Sequence, residues 1–372
     1  MNALLLIDPA FWQDEKPFAP AGWDGGWPEL PDLAGMVLFA TSGSGGAPKM
    51  LALSKSALLL SAAAVNCHLG VDAESCWGLA LPWHHVGGFG VIARAFEAAC
   101  RLARFELRWD AAAFRDWLAR ESVTHVSLVP TQVHDLVAAK LGAPPALRAV
   151  VVGGGRLDAA TGRAARALGW PVLASYGMTE AGSQIATQGL EALAASYQPA
   201  PLAILPIWDT RLGADGRLEI SGPALFAGTL VSAGCGWRFV RREGAWHTTA
   251  DRVALAGGEL TPLGRVDAAV KVLGELVDPG MVEQELLDCG EGRLRPGSFV
   301  VLAEPDVRAG HRLVPVFEDA VPAALVEATL AGYHARVPGF RRLQPPRRVA
   351  AIPRSPLGKV RRHLLPPGNP EP

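Results

Sequence analysis

Strand-like apolar runs alternate with helix-like segments between residues 36 and 178, and this alternation constrains the fold more than any other feature of the sequence. The helix-like segments begin after Ser54, Asp110 and Asp158, which are residue types that cap helix N-termini. Strands and helices that alternate at this spacing predict an α/β domain with a mostly parallel sheet. The strand-like runs are MVLFA (36–40), WGLAL (77–81), THVSLVP (124–130), RAVVVGG (148–154) and PVLASYG (171–177).

The pattern changes twice after this region. From about 200 to 262 the helical period disappears, and short runs broken by Gly and Pro, such as RLEISG and WRFVRR, predict a β-rich subdomain. After Gly264 helices near VEQELL and AALVEATLAGYHARV mix with strands near FVVLAE and RLVPVF. We therefore expect a large N-terminal domain over residues 1–265 and a small α+β C-terminal domain over residues 266–372.

Composition excludes several classes of protein. The chain has 372 residues with 35 Lys and Arg against 36 Asp and Glu, so its net charge of −1 gives no electrostatic case for nucleic acid as a partner. No apolar run approaches the roughly 18–20 residues of a membrane span, and the N-terminus MNALLLIDPA lacks the basic region of a signal peptide. The five widely spaced cysteines indicate neither a disulfide framework nor a zinc site. We expect a cytoplasmic protein.

The string TSGSGGAPK follows the first strand-like run and is typical of a loop that binds an anion. Glycines let backbone N–H groups converge on phosphate oxygens, hydroxyls add donors, and lysine adds a point charge. The string is not a Walker A loop, because its lysine does not directly follow the last glycine. Taken by itself, an ordinary Gly/Ser turn explains it equally well. Its candidate phosphate ligands are Thr41, Ser42, Gly43, Ser44, Gly46 and Lys49.

Three further strings follow strand-like runs. In ASYGMTEAGS (174–183), Glu180 beside Thr179 is suited to hold Mg²⁺ through one carboxylate. In VVVGGGRLD (150–158), glycines allow a flat ring to approach the backbone. In LPWHHVGGFG (81–90), the two histidines are too close in sequence to form a helical metal pair. Each string alone has an ordinary structural interpretation as a turn.

The remaining strings are WHTTADR (246–252), GRVDAAVKVLGELVDPG (264–280) and IPRSPLGKVRR (352–362). Only six of the 35 basic residues are lysines, and three of them, Lys49, Lys271 and Lys359, fall inside these motifs. A chain that otherwise uses arginine keeps lysine where a compact point charge is needed.

The order of the strings resembles the adenylate-forming superfamily of acyl-CoA synthetases, adenylation domains and luciferase. Its pattern is TSG(S/T)TGxPKG, PxFHxxG, GGA, YGxTE, TGD, GRxDxxIKxxGE and PxTxxGKxxR, and the chain has counterparts of all seven in that order. Within the superfamily, LPWHHVGGFG and HVSLVPTQ are similar to the o-succinylbenzoate–CoA ligases of menaquinone synthesis. The resemblance implies an ATP-dependent ligase that forms an acyl-adenylate and then a coenzyme A thioester.

The resemblance also implies a role for each motif. The TSGSGGAPK loop would hold the ATP phosphates, Glu180 would bind Mg²⁺, and Thr179 would lie near the α-phosphate. Asp251 would bind the ribose with help from Arg265, and Lys359 would bridge the acid and the α-phosphate. A mobile C-terminal domain would turn about Asp267 and bring Lys271 and Gly274 to the thiol. The adenine would be lined by Gly153, Gly154, Gly155, Ser175, Tyr176 and Gly177, and His85 would sit between the acyl pocket and the thiol channel. Because o-succinylbenzoate carries two carboxylates, Arg94, Thr131 and Gln132 are candidates to hold the one that does not react.

Some positions depart from the family's pattern. Gly45 stands where threonine is usual, Met50 follows the loop lysine in place of glycine, and Ala250 replaces the glycine of TGD. Only about forty residues precede the phosphate loop, so we expect much of the usual N-terminal subdomain to be missing. Alternatives left open are another aryl or acyl acid, a carrier-protein thiol, and a nucleotide-binding protein that does not catalyse. Arg94 is also compatible with an ordinary surface arginine, and the chain with a homodimer.

Overall fold

The computed structural model describes residues 3–22, 30–41, 49–233, 236–266, 268–354 and 360–365. The helices predicted after Ser54, Asp110 and Asp158 are confirmed, because each of these side chains accepts a backbone N–H in the first helical turn. In these ranges the helices are α1 (Pro9–Gln13), α2 (Lys55–Leu69), α3 (Val86–Glu97), α4 (Ala111–Arg120), α5 (Pro130–Ala138), α6 (Ala159–Ala167), α7 (Pro279–Cys289) and α8 (Ala323–His334).

The strands of the described ranges form three sheets. They are β1 (Met36–Thr41), β2 (Lys49–Ser54), β3 (Cys76–Leu79), β4 (Arg101–Arg104), β5 (His125–Leu128), β6 (Ala149–Val152), β7 (Val172–Met178), β8 (Ser183–Thr187), β9 (Leu202–Ile204), β10 (Asp209–Leu212), β11 (Arg217–Ser221), β12 (Gly228–Ala233), β13 (Gly236–Arg241), β14 (His247–Ala256), β15 (Glu259–Arg265), β16 (Val270–Val272), β17 (Glu275–Val277), β18 (Phe299–Asp306), β19 (Gly310–Glu318) and β20 (Arg347–Val349).

The largest sheet has eleven strands in the order β10-β11-β14-β15-β9-β8-β7-β6-β5-β3-β4. Strands β7, β6, β5, β3 and β4 pair in parallel, while the strands from β10 to β8 are antiparallel, and β8 pairs antiparallel with β7. The predicted α/β fold with a parallel sheet and a β-rich part is therefore confirmed. Because parallel strands present their carboxyl ends at one edge, the segments after β5, β6 and β7 lie near one another.

The first strand-like run, MVLFA, forms a strand but does not join the parallel sheet. It lies in β1, at the end of an antiparallel four-stranded sheet in the order β1-β2-β12-β13. This sheet has a small apolar core of its own, which includes Leu38, Ala52 and Leu230. Strand β2 pairs with both β1 and β12, and β12 is distant in sequence, so a local pattern could not reveal this sheet.

The C-terminal part has a separate apolar core. Strands β16 to β20 form a five-stranded sheet, and α7 packs on both β18 and α8. Its buried residues include Val282, Leu286, Val301, Phe317 and Tyr333. They form a cluster distinct from the large core that contains Trp77, Phe89 and Val150. Within the described ranges, no helix is long and apolar enough to cross a membrane.

Candidate active site

A cleft of about 1650 Å³ lies between the carboxyl ends of β6 and β7 on one side and α7 and β18 on the other. Its position follows from the topology, because ligands of α/β sheets bind beyond the carboxyl ends of parallel strands. Most of the residues predicted to bind the nucleotide base and ribose meet here. They are Gly154, Gly155, Ser175, Tyr176, Gly177, Asp251 and Arg265.

On the side of the cleft formed by β6 and β7, the backbone is closely packed at two places: the junction of β7 with β8, and the turn after β6. A Cβ atom added to Gly177 would lie 1.7 Å from the Ser183 carbonyl oxygen, so only glycine fits where β7 meets β8. The Ser175 hydroxyl donates to the Val152 carbonyl at 3.0 Å and ties β7 to the turn after β6. In that turn, a Cβ added to Gly153 would approach the same hydroxyl to 3.1 Å. The wall is therefore a flat backbone surface that a planar ring can approach.

A carboxylate with two fixed partners lies at the rim of the cleft. The Tyr176 hydroxyl donates to Asp251 Oδ2 at 2.6 Å, and Arg265 Nη1 donates to Oδ1 at 3.0 Å. Asp251 and Arg265 are paired residues of the β14–β15 ladder, and the Asp251 N–H donates to the Thr249 hydroxyl. Burial, reinforced by the neighbouring carboxylate, raises the pKa of Tyr176 well above its usual range, so this hydroxyl stays protonated. The arrangement presents carboxylate lone pairs that can accept from a diol.

Glu180 lies on a short turn (Thr179–Ala181) between β7 and β8. Its carbonyl oxygen accepts from the Phe226 N–H at 2.8 Å, which fixes the backbone of the turn. Burial lowers the pKa of His247, and the negative charge of Glu180 partly opposes this shift. The described residues contain no group of three or more side chains that could hold a metal by themselves. A single carboxylate fits Mg²⁺ held jointly with phosphate oxygens and water.

His85 precedes α3 and packs against His84, with ring centroids 4.3 Å apart and ring planes tilted by 59°. Its Nε2 atom is buried and has no hydrogen-bond partner among the described residues. Burial, assisted by His84, lowers the pKa of His85 to about 4. The imidazole is therefore neutral near pH 7 and can accept or donate one hydrogen bond.

Arg94, on α3, is one of the largest fully buried side chains, with 2% of its surface exposed. The alternative of an ordinary surface arginine is therefore wrong. Its guanidinium donates to the hydroxyls of Ser127 and Ser183 at 3.3 and 3.1 Å, and no residue of the described ranges hydrogen-bonds to its Nε atom. In the described part of the chain, no carboxylate forms an ion pair with it. Burial lowers its pKa to about 9, which still leaves a cation near pH 7.

Five other predicted site residues do not line the cleft: Lys49, Thr131, Gln132, Lys271 and Gly274. Gln132 uses its side-chain oxygen to accept the Val129 N–H at 3.0 Å, and Thr131 is half-buried beside it at the start of α5. Lys49, at the start of β2, is exposed. Lys271 and Gly274 belong to an exposed hairpin, β16–β17, and do not line the cleft.

Several predicted residues cannot be placed. Only the backbone of Thr41 is described, at the end of β1. The others that lie outside the described residues are Ser42, Gly43, Ser44, Gly46, Asp267 and Lys359.

Sequence reasoning missed the residues that surround Arg94 and those that join the two parts of the chain. Ser127 and Ser183 stand inside HVSLVP and ASYGMTEAGS, so the motifs contained them without marking them. Two ion pairs connect the α5–α6 region to the C-terminal part. Arg156 contacts Asp288 at 3.1 Å, and Arg295 binds Asp135 through both carboxylate oxygens at 3.0 and 3.2 Å.

The sequence relatives and the structural neighbours agree. The chain is 32% identical over 288 residues to the 2-succinylbenzoate–CoA ligase of Escherichia coli (strain K12), covering 77% of the chain and 58% of the relative. For the enzyme of Salmonella typhimurium (strain LT2) the identity is 33% over 297 residues, covering 78% and 59%. The chain thus spans less than two thirds of the length of these curated relatives.

Solved structures share the fold. The o-succinylbenzoate CoA synthetase of Bacillus subtilis, in complex with its acyl-adenylate intermediate, superposes with a TM-score of 0.74 at 22% identity, covering 90% of this chain and 69% of that one. An anthranilate CoA ligase in complex with anthranoyl-AMP gives a TM-score of 0.72 at 18% identity, covering 88% and 66%. These matches confirm the predicted fold class.

The model of the family described as AMP-binding enzyme matches residues 12–230, which is more than half of the sequence. The superfamily predicted from the order of the motifs is thereby confirmed: the chain belongs to the AMP-binding enzyme family.

Proposed function

We propose that the chain is an AMP-forming acid–CoA ligase whose acid is o-succinylbenzoate. A carboxylate oxygen of the acid attacks the α-phosphorus of ATP, and the bond from that phosphorus to pyrophosphate breaks. The thiol of coenzyme A then attacks the acyl carbon, loses its proton, and displaces AMP to leave a thioester. Relatives with this activity named for them, at 32% and 33% identity, support the proposal.

The observation that carries the choice of acid is the buried cation of Arg94. Removing a guanidinium from water costs several kcal/mol unless an anion compensates it. Two neutral serine hydroxyls supply only part of that compensation. A second carboxylate on the substrate, apart from the one that reacts, would complete the ion pair. o-Succinylbenzoate carries two carboxylates, so one can bind Arg94 while the other is activated.

The nucleotide would occupy the cleft. The base would lie against the flat backbone after β6 and along β7, and the ribose hydroxyls would donate to Asp251, which Tyr176 and Arg265 hold in place. Phosphate oxygens would be bound by the Thr41–Lys49 loop. Mg²⁺, held by Glu180 and phosphate oxygens, would neutralise charge on the phosphates. Lys359 would offset the repulsion between the two anions that must meet.

His85 would separate the acid from the thiol. Its low pKa makes it a neutral group, so we assign it to shaping the acyl pocket and not to carrying charge. Thr131 would contact the acid, whereas the backbone contact of Gln132 argues for a supporting role at the start of α5.

We also propose two domains, residues 1–265 and 266–372, with Asp267 as the hinge. The two separate apolar cores support this division. Lys271 and Gly274 lie away from the cleft in the present arrangement, which is compatible with a second arrangement that brings them to the thiol. The cytoplasmic location stays a prediction of the sequence.

A pyrophosphate-release assay tests the proposal with two acids. The first is o-succinylbenzoate, and the second is 4-oxo-4-phenylbutanoate, which keeps the reacting chain but lacks the ring carboxylate. We expect Arg94→Met to raise KM for the first acid roughly ten- to hundredfold, because a charge-assisted hydrogen bond is worth about 1.5–3 kcal/mol, and to leave KM for the second unchanged.

Arg163→Met serves as the control, because Arg163 also lines the cleft but is exposed on α6. It should leave the preference between the two acids unchanged. Equal losses for both acids in Arg94→Met would refute the dicarboxylate assignment. Absence of pyrophosphate release with every acid would refute the ligase activity itself.

A further inference from the structure

Arg94 forms a closed ring of contacts with two other buried residues, Trp77 and Asn66. The guanidinium lies over the indole of Trp77, 5.2 Å from the ring centroid. The Trp77 indole N–H donates to Asn66 Oδ1 at 3.2 Å. Asn66 Nδ2 donates back to the Arg94 carbonyl oxygen at 2.9 Å, and also to Glu97 Oε2 at 2.7 Å. The ring thus begins and ends on Arg94 and joins α2, β3 and α3.

The guanidinium needs such a support because its other contacts do not fix it. Both serine acceptors are neutral hydroxyls that can rotate, and Nε has no hydrogen-bond partner within the part of the chain that the structure describes. A long arginine side chain without a carboxylate has no bidentate contact to define its plane. The face of a tryptophan ring is the strongest aromatic partner for a cation. The plane of the Trp77 indole therefore determines where the cation can lie.

Asn66 in turn fixes that indole. The Asn66 amide group donates to two acceptors, the Arg94 carbonyl and the Glu97 carboxylate, while its oxygen accepts the indole N–H. If the amide were flipped, its oxygen would point at those two acceptors and its NH₂ group at the indole N–H. Only one orientation satisfies all three contacts. Both Asn66 and Trp77 are buried, which makes an unsatisfied group there costly.

We propose that Asn66 and Trp77 are positioning residues that hold the Arg94 guanidinium ready for a carboxylate of the substrate and so determine specificity for a dicarboxylic acid. The proposal rests on the proposed function for the identity of the anion. It goes beyond the proposed function because it assigns the specificity to Asn66 and Trp77, which contact Arg94 and not the acid. Neither residue contacts the substrate in this account; both act through Arg94.

Kinetics with the two acids separate this role from a merely structural one. Trp77→Phe keeps an apolar ring but loses the indole N–H and the stronger cation-binding face. We expect it to raise KM for o-succinylbenzoate about three- to tenfold. KM for 4-oxo-4-phenylbutanoate and kcat for both acids should change less than twofold. Asn66→Ser, whose side chain is too short to reach the indole, should give the same pattern.

Trp170→Phe is the matched control. Trp170 is equally buried, and its indole N–H donates to the Leu141 carbonyl at 2.7 Å, remote from the ring around Arg94. Trp170→Phe removes the same atoms as Trp77→Phe and should leave the preference between the two acids unchanged. An equal rise in KM for both acids in Trp77→Phe, or a change of preference in Trp170→Phe, would overturn the proposal.

A second measurement does not depend on activity. The urea midpoint is compared for Trp77→Phe, Arg94→Met and the double variant. We expect Trp77→Phe to lower the midpoint less when Arg94 is already replaced, because the contact between the two is then absent. Additive shifts would overturn the proposal. Equal KM values for the two acids in the unmodified chain would instead refute the dicarboxylate assignment, and the unfolding cycle would still decide whether Trp77 holds Arg94.

Discussion

The hydroxyl of Tyr176 offers a sharp test of how the ribose site is built. Tyr176→Phe removes one oxygen and leaves the ring that lines the cleft. Asp251 then loses its 2.6 Å hydrogen bond and keeps the one from Arg265 at 3.0 Å. Its carboxylate, 15% exposed, becomes free to rotate away from the position in which it can meet a diol. Because burial raises the pKa of Tyr176, its hydroxyl remains a donor between pH 7 and 9, and the loss should be the same across that range.

The size of the effect follows from the charge on the acceptor. Hydrogen bonds to charged groups contribute about 1.5–3 kcal/mol, and water entering the partly open rim replaces some of this. The lower end of that range corresponds to roughly a tenfold rise in KM for ATP. The acid does not contact Tyr176 in this account, so KM for the acid should stay within about twofold of its original value.

Pyrophosphate release measured against ATP concentration checks this expectation. Tyr197→Phe is the control, because its hydroxyl makes a longer, neutral hydrogen bond to the Leu157 carbonyl at 3.4 Å and the residue is fully buried. With 2′,3′-dideoxy-ATP, which lacks the diol, the Tyr176 variant and the original chain should have similar KM values. An unchanged KM for ATP, or the same penalty with the dideoxy nucleotide, would refute the account of the ribose site.

Three further predictions concern the ion pair between Arg295 and Asp135, stability at low pH, and Lys359. Arg295→Met removes the ion pair with Asp135, whose side chains are 50% and 22% exposed and whose contact is worth about 0.5–1 kcal/mol. The ratio of the adenylation rate to the thioester-forming rate should therefore change two- to fivefold. Arg293→Met, whose ion pair lies within its own loop, should leave that ratio unchanged. Burial lowers the pKa of His125 from 6.5 to about 4, so the unfolded chain binds a proton that the folded state resists. The free energy of unfolding, obtained from urea titrations, should therefore fall by up to about 3 kcal/mol between pH 6.5 and 4 on account of this residue, and the fall should be smaller in His125→Gln. Lys359→Ala should slow adenylation about 10²- to 10³-fold but largely spare thioester formation from a supplied acyl-adenylate; equal losses would contradict its assignment.

Local signals predicted much of the fold. Helix starts at Ser54, Asp110 and Asp158 depend on hydrogen bonds within one turn, and each forms as expected. The short edge strand β4, with sequence RLAR, was missed because an arginine at each end leaves only two apolar residues between them, too few for a buried-strand pattern. The sheet that contains β1 was also missed, since the pairing of β2 with β12 joins segments far apart in sequence.

In the candidate site, too, residues in local motifs were predictable and residues brought together from distant segments were not. Motif order located the wall of the cleft and the Tyr176, Asp251 and Arg265 positions, because each stands at the end of a predicted strand or in a family motif. The serines that contact Arg94, Ser127 and Ser183, come from two segments distant in sequence, and serine hydroxyls carry no pattern that distinguishes a ligand from a surface residue. The ring through Asn66 and Trp77 was equally hidden, because a buried asparagine in an apolar helix resembles many structural polar residues.

The central claim is that a carboxylate oxygen of the acid attacks the α-phosphorus of ATP. Oxygen-18 labelling tests it most directly: the purified chain is incubated with ATP, Mg²⁺, coenzyme A and o-succinylbenzoate labelled at both oxygens of its reacting carboxylate. The account predicts AMP that carries one labelled oxygen, together with the labelled coenzyme A thioester, as read by mass spectrometry. Unlabelled AMP, or ADP in place of AMP, would contradict it.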